Sequence, residues 1–126
     1  PLYGNGKYDM LHGQDETILP SLAQGGAQGG IGGTTNYNGR ELVGIIEAWE
    51  RGDLETAREK QNFSQAVINV ICNYRGNIVG GKRIMKLIGL DLGQNRVPFR
   101  NMTDEEEASM KRELEQIGFF ERCNRF

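Results

Sequence analysis

The sequence predicts an α/β fold of the parallel type at its start and a mostly helical remainder. Three observations carry that expectation. A short strand pattern, an acidic loop and a short helix lead into a glycine-rich stretch and then a long helix, the βαβα order of parallel α/β folds. The stretch from Gly25 to Gly33 has glycine at six of nine positions, yet it holds Ile31 in its middle and Thr34-Thr35 behind it, as a short buried strand requires. From Asn38 onward, apolar residues recur at helical spacing. A slack glycine linker is the plain alternative for the run, but the Ser-Gly monotony of such linkers is missing.

Composition bounds the function. A chain of 126 residues is one domain at most, with charged residues at 25% and apolar ones at 37%. A formal net charge of -2 gives no basic surface for nucleic acid or for an anionic membrane. No apolar run approaches the roughly 20 residues that span a bilayer, and no signal-peptide pattern opens the chain, so a cytoplasmic location is the default expectation. The first residue is Pro1 rather than Met, which suggests a processed product or a piece of something longer. Cys72 and Cys123 lack CxxC or Cys/His spacing; buried free thiols and no metal are expected.

Taken in order, Gly4-Asn5-Gly6 makes Pro1 to Lys7 turn-like, and Tyr8 to His12 reads as a short strand ended by Gly13. Thr17 to Gln24 forms a short helix if Pro20 lies in its first turn, where a missing N–H is no loss. Asn38 is expected to cap a helix reaching about Arg51, with Leu42, Ile45, Ile46 and Trp49 as its apolar stripe. Gly52 stops that helix, and Asp53 caps the next. The next helix turns Phe63, Val67, Val70 and Tyr74 inward, with Leu54, Ala57, Ile68 and Ile71 widening the face, and stops near Arg75-Gly76. A shorter helix spans about Gly81 to Ile88 with Gly89 as its C-cap, and Asp91 to Asn101 is extended around Pro98. Thr103 and Glu106 have capping-box spacing and open a last helix with Met110, Leu114 and Ile117 inward and Gly118 as its stop.

Several motifs are weaker than they look. Gly76 to Lys82 follows the phosphate-loop pattern G-x-x-x-x-G-K, but Arg83 stands where a Mg²⁺-binding hydroxyl belongs and a helix precedes it, so a helix-to-helix turn is expected. No G-x-G-x-x-G can be placed in the glycine run, which excludes a dinucleotide fingerprint. His12 has no nucleophile at hand and reads as structural. The run Asp104 to Glu107 complements the dipole of the last helix. Asp15-Glu16 is different, because the pair follows the C-terminal end of a strand, where parallel α/β folds place ligand contacts. Ionised carboxylates there can accept hydrogen bonds from several hydroxyls of a polyol or sugar.

His12-Gly13-Gln14-Asp15-Glu16, its spacing to Gly26-Ala27-Gln28-Gly29-Gly30-Ile31-Gly32-Gly33-Thr34, and the tail containing Arg96-Val97-Pro98 resemble the C-terminal part of the N-acetylneuraminate lyases, in the dihydrodipicolinate synthase superfamily. The resemblance covers nearly the whole chain. It implies a (β/α)8 TIM barrel with extra C-terminal helices, metal-free and usually tetrameric, whose members are class I aldolases holding pyruvate as a Schiff base. Such a barrel needs about 250 residues, so this chain would be its C-terminal portion. Residues 1–51 would be the last two βα units, and residues 52–126 a C-terminal helical bundle. Strand 7 would lie at about Tyr8 to His12 and strand 8 at about Gly29 to Thr34.

The resemblance also assigns roles. Gly13, Asp15 and Glu16 would bind the hydroxyl chain of a sugar acid, and Ile31 and Gly32 would lie beside the pyruvate moiety. The dihydrodipicolinate synthases generally lack the Asp-Glu pair, which favours the lyase branch. Gly33 stands where many sialate lyases carry a Ser that also contacts the sugar, a departure that leaves the exact substrate open. The family's Schiff-base lysine (strand 6) and tyrosine proton relay (strand 5) would both lie upstream of Pro1. Lys7, Lys82 and Lys86 do not match the position the lysine needs, so the expected reaction is reversible cleavage of N-acetylneuraminate to pyruvate and N-acetylmannosamine by the full-length enzyme, with this chain alone inactive. No cofactor is implied. The remaining half of the barrel, or a second copy of the chain, would be its partner, since two strands alone leave open edges. Another 2-keto-3-deoxy sugar acid is the alternative substrate class. A non-enzymatic helical interaction module is the other alternative, and it predicts no strand at Gly29 to Thr34.

Overall fold

Two parallel strands and the helices behind them set the position of the two loops that follow the strands. A computed structural model of the chain describes residues 3–126. The turn expected for Pro1 to Lys7 is present as a tight 3-10 turn over Tyr3–Gly6, with Pro1 and Leu2 outside the described residues. Strand β1 (Leu11–His12) pairs in parallel with β2 (Gly29–Gly30), Leu11 opposite Gly29 and His12 opposite Gly30. The Gln28 N–H to Met10 carbonyl (3.1 Å) and Ile31 N–H to His12 carbonyl (2.8 Å) bonds extend the pairing by a residue at each end. Both strands are shorter than the sequence suggests. One rung past His12 the chain turns into the acidic loop, and past Ile31 it bends toward the next helix.

Helix α1 (Ile18–Ala23) follows a 3-10 turn over Asp15–Thr17, with Pro20 inside its first turn as expected. It packs on α2 (Thr35–Glu50) through Ile18, Leu22, Leu42 and Ile45. A Cβ on Gly30 would meet the Ile18 Cδ1 at 2.9 Å, so glycine there lets the strand lie directly on α1. The opposite face of the pair is uncovered among the described residues: Leu11 is 58% and Ile31 67% exposed. Ile31 is therefore not the buried strand residue that its setting suggests.

Asn38 corrects another expectation. The helix begins before it, and Asn38 sits inside α2 at a kink (φ −117°) with its side chain buried and its amide donating to the Ser64 hydroxyl at 3.0 Å. The kink leaves first-turn carbonyls without their helical donors. Asn124 supplies them: its backbone N–H donates to the Tyr37 carbonyl (2.8 Å), and its side-chain amide donates to those of Thr35 (3.0 Å) and Asn36 (2.9 Å).

Helix α3 (Leu54–Asn73) is capped by Asp53, whose carboxylate accepts from the Thr56 N–H at 3.1 Å. Its inward face holds Phe63, Val67, Val70 and Ile71, while Leu54 is exposed. Cys72 is also exposed, one step around the helix from Ile71, and Cys123 is buried; the expectation of two buried thiols holds for the second alone. The segment Asn77–Gly81 is one wide π-type turn between α3 and α4 (Lys82–Leu87), a connection rather than a phosphate loop. Beyond it, residues 91–101 close on themselves rather than run straight, with the Asn95 N–H donating to Asn101 Oδ1 at 2.7 Å. Thr103 and Glu106 make the full capping box of α5 (Asp104–Gln116). Gly118, left-handed at φ 72°, ends the turn after α5, but the chain then forms α6 (Phe119–Arg122), whose Phe119 fills the core beside Tyr37, Met110 and Leu114. The low hydropathy of the tail conceals that last anchor. Among the described residues no helix is long and apolar enough to cross a membrane.

Candidate functional site

The acidic loop after β1 and the glycine loop after β2 meet because their strands are parallel neighbours. The Asp15 carboxylate is buried at 4% exposure. Its Oδ2 accepts the backbone N–H of Thr34 at 2.9 Å and, at close range, the Thr34 hydroxyl. Charge-assisted bonds of this kind are roughly twice as strong as neutral ones, so Asp15 ties the start of α2 to the end of β1. Oδ1 of the same carboxylate has no partner among the described residues.

Gly32 is what allows this. A Cβ on Gly32 would sit 2.1 Å from Asp15 Oδ1 and 2.3 Å from Oδ2, so any side chain would occupy the space of the carboxylate. Gly33 is crowded from the other side, where its Cβ would fall 1.8 Å from the Asn77 Nδ2. Gly13 lies near the Ile31 carbonyl, 4.0 Å from where its own Cβ would be. Gly13, Asp15, Ile31, Gly32 and Gly33 are thus brought together, and Glu16 is next to them, half-buried and with no bond from its carboxylate among the described residues. The Asp15 carboxylate is engaged by Thr34, and that of Glu16 is not.

The loop is also held from α3, by residues that sequence reasoning missed. Gln61 donates to the Asp15 carbonyl at 3.1 Å and accepts the Leu19 N–H at 2.9 Å, and one turn on Gln65 donates to the Glu16 carbonyl at 3.0 Å. Their i, i+4 spacing puts both on one face of α3, a weak signal beside the apolar stripe. His12, part-buried, pairs with the Thr17 hydroxyl at 2.7 Å, which fits a structural histidine.

Among the described residues no lysine is poised as a nucleophile. Lys7 lies over the Tyr8 ring at 5.4 Å, Lys60 binds Glu41 at 3.1 Å, Lys82 donates to the Gln94 carbonyl at 2.9 Å, Lys86 binds Glu107 at 2.9 Å, and Lys111 faces Glu115 at 3.8 Å. A Schiff-base amine needs a desolvated setting free of such partners. Burial, and next the negative charge of Asp15, pushes the Tyr37 hydroxyl far above its ordinary range, so it stays protonated and donates to Asn77 Oδ1 at 2.6 Å. Among the described residues no three His, Cys, Asp or Glu side chains converge to hold a metal ion.

Residues 5–117 match the model of the dihydrodipicolinate synthetase family. The N-acetylneuraminate lyase of Rattus norvegicus is 32% identical over 114 residues, covering 90% of this chain and 35% of the rat protein. Among solved structures, the Proteus mirabilis N-acetylneuraminate lyase superposes with a TM-score of 0.82 at 32% identity, over 93% of this chain and 39% of its own. A variant of the Sulfolobus solfataricus 2-keto-3-deoxygluconate aldolase superposes with a TM-score of 0.73 at 27% identity, over 84% of this chain and 36% of its own. The chain spans about a third of the length of the curated relatives it matches. Its two-stranded parallel sheet with helices behind is consistent with a part of their barrel.

Proposed function

The chain belongs to the dihydrodipicolinate synthetase family, and from that membership we propose that it forms the hydroxyl-binding wall of a Schiff-base aldolase. The observation that carries this reading is the junction of Asp15-Glu16 with Gly32-Gly33 at the C-terminal ends of adjacent parallel strands. In a (β/α)8 barrel that end is the active-site mouth. The whole protein cleaves N-acetylneuraminate reversibly to pyruvate and N-acetylmannosamine. The amine nucleophile and the tyrosine that relays protons come from outside these 126 residues, in keeping with the engaged lysines.

Each site residue then has a role. Glu16 accepts hydrogen bonds from the sugar hydroxyls, with Gly13 leaving room for them. Asp15 holds the Gly32–Thr34 loop in place by accepting from the Thr34 N–H and hydroxyl. Ile31 and Gly32 face the pyruvate end, where the absence of a side chain lets backbone approach a keto acid. The remaining strands cover the exposed Leu11 and Ile31 and close the open edges of the pair. The paired strand at Gly29–Gly30 argues against a helical module joined by a slack linker.

A second substrate class, a 2-keto-3-deoxy sugar acid without the N-acetyl group, is favoured by the bare Cα of Gly33 and by the superposition on the 2-keto-3-deoxygluconate aldolase. The test is pyruvate release by the full-length protein from N-acetylneuraminate and from 2-keto-3-deoxygluconate. Higher kcat/KM on the first supports the lyase reading. Higher kcat/KM on the second selects the alternative, and no pyruvate from either overturns both.

A further inference from the structure

The kink in α2 is filled by a side chain 88 positions further along the chain than Asn36. In an unbroken helix the Asn36 carbonyl would accept directly from the Arg40 N–H. Here the Asn124 amide stands between the two. The Arg40 N–H donates to its Oδ1 at 3.1 Å, and its Nδ2 donates to the Asn36 carbonyl at 2.9 Å. The same Nδ2 reaches the Thr35 carbonyl at 3.0 Å, and the Asn124 backbone N–H donates to that of Tyr37 at 2.8 Å. A side chain inserted into the helical ladder is one of the few causes of a sharp bend. Gly39 leaves the space for it, since a Cβ there would come 3.2 Å from Asn124 Nδ2. Arg122, on α6, makes a separate contact with α2 through Glu41 and covers the Phe63 ring at 3.9 Å.

We propose that Asn124 is a positioning residue for the site: inserted into the first turns of α2, it sets the pose of the Gly32–Thr34 loop that leads into them. This rests on the reading of that loop as one wall of a keto-sugar-acid site. The first turn continues the loop directly. The Thr35 N–H donates to the Gly32 carbonyl at 3.4 Å, and the Tyr37 and Asn38 N–H groups donate to that of Thr34 at 3.1 and 2.7 Å. Asp15 therefore holds the loop from the β1 side, through Thr34, and Asn124 holds it from the helix side. Without the amide, the Asn36 carbonyl and the Arg40 N–H are free to pair with each other. That pairing straightens the kink and carries Thr34 with it.

The experiment measures kcat, KM and melting temperature for full-length Asn124→Ala and Arg122→Ala, on whichever of N-acetylneuraminate and 2-keto-3-deoxygluconate the wild type cleaves faster. Both variants remove a contact to α2, so both report on stability, but only Asn124→Ala frees the first turn. Asn124→Ala is expected to raise KM about tenfold, the worth of one misplaced hydrogen bond, with kcat within about twofold of wild type. Arg122→Ala is expected to keep the wild-type KM. Gly39→Ala crowds the Asn124 amide without removing it and should raise KM in the same direction. Equal KM changes in Asn124→Ala and Arg122→Ala overturn the proposal. So does a wild-type KM in Asn124→Ala or, where that variant does not fold, in Gly39→Ala. A wild-type protein that releases pyruvate from neither substrate overturns the aldolase reading beneath it.

Discussion

The Asp15 carboxylate accepts both the backbone N–H and the hydroxyl of Thr34, 19 residues further along the chain. That contact joins the loop after β1 to the first residue before α2, and it fixes the Gly32–Thr34 backbone between them. Asp15→Ala leaves the buried Thr34 donors unmet, a cost of about 1–3 kcal/mol each before relaxation. Urea unfolding of the full-length protein should show a loss of about 2–6 kcal/mol for the two donors together, less what relaxation recovers, with faster amide exchange at Thr34. Unchanged exchange at Thr34 would separate the carboxylate from the loop.

Gly32 and Gly25 make a controlled pair. Gly25→Ala meets open space and only the strain of φ 71°, about 1–2 kcal/mol. Gly32→Ala drives a methyl to 2.1 Å from a buried carboxylate oxygen. It should cost more than Gly25→Ala in stability and, in the full-length protein, lower kcat/KM by at least tenfold. A Gly32→Ala protein as stable as Gly25→Ala would mean that Asp15 moves aside freely.

Gln61 and Gln65 hold the same loop with different leverage. Gln61 is buried and makes two backbone contacts, whereas Gln65 is exposed and makes one. Gln61→Ala is expected to cost about 2 kcal/mol and Gln65→Ala under about 0.5 kcal/mol. Parallel melting curves of the two variants check the order, and a reversed order would shift the anchor of the loop to the surface.

Much of this architecture was legible from spacing. The apolar stripes of α2 and α3, the Asp53 cap and the Thr103–Glu106 box are local signals, and each element forms where its signal lies. The misreadings share a cause, in that the deciding contact comes from a distant part of the chain. Asn38 has a capping residue's chemistry but turns inward to Ser64, 26 positions away, and the carboxy-terminal Asn124 mends the kink. Helix α6 is held by Phe119 against Tyr37 (6.2 Å between ring centres), and no pattern within its four residues announces that contact. Within the site, Asp15 and Glu16 stand out by residue type, while their supports Gln61 and Gln65 are ordinary polar residues until the fold assembles them.

Acid should loosen the contacts that Glu106 and Glu41 make with their basic partners. A hydrogen bond from Arg75, and next one from the Thr103 N–H, holds the Glu106 carboxyl down at about 2, against about 4.3 when unfolded. Burial pushes Glu41 up, but hydrogen bonds from Arg122 and Lys60 outweigh it and leave its carboxyl below the usual range. A depressed folded pKa means stability that is present above the unfolded value and lost as pH falls toward the folded one. Melting temperature should therefore drop between about pH 5 and pH 2, and Glu106→Gln should flatten only a small part of that drop, because solvent screens the pair. A melting temperature independent of pH across that window would contradict the assignment.

Trapping with borohydride in the presence of pyruvate tests whether a Schiff base forms, and on which lysine. Reduction should leave a stable pyruvyl adduct on the full-length protein, on a lysine outside these 126 residues, and none on a chain of these residues alone. An adduct mapped to Lys7, Lys60, Lys82, Lys86 or Lys111, or a full-length protein that forms no adduct at all, would contradict the account.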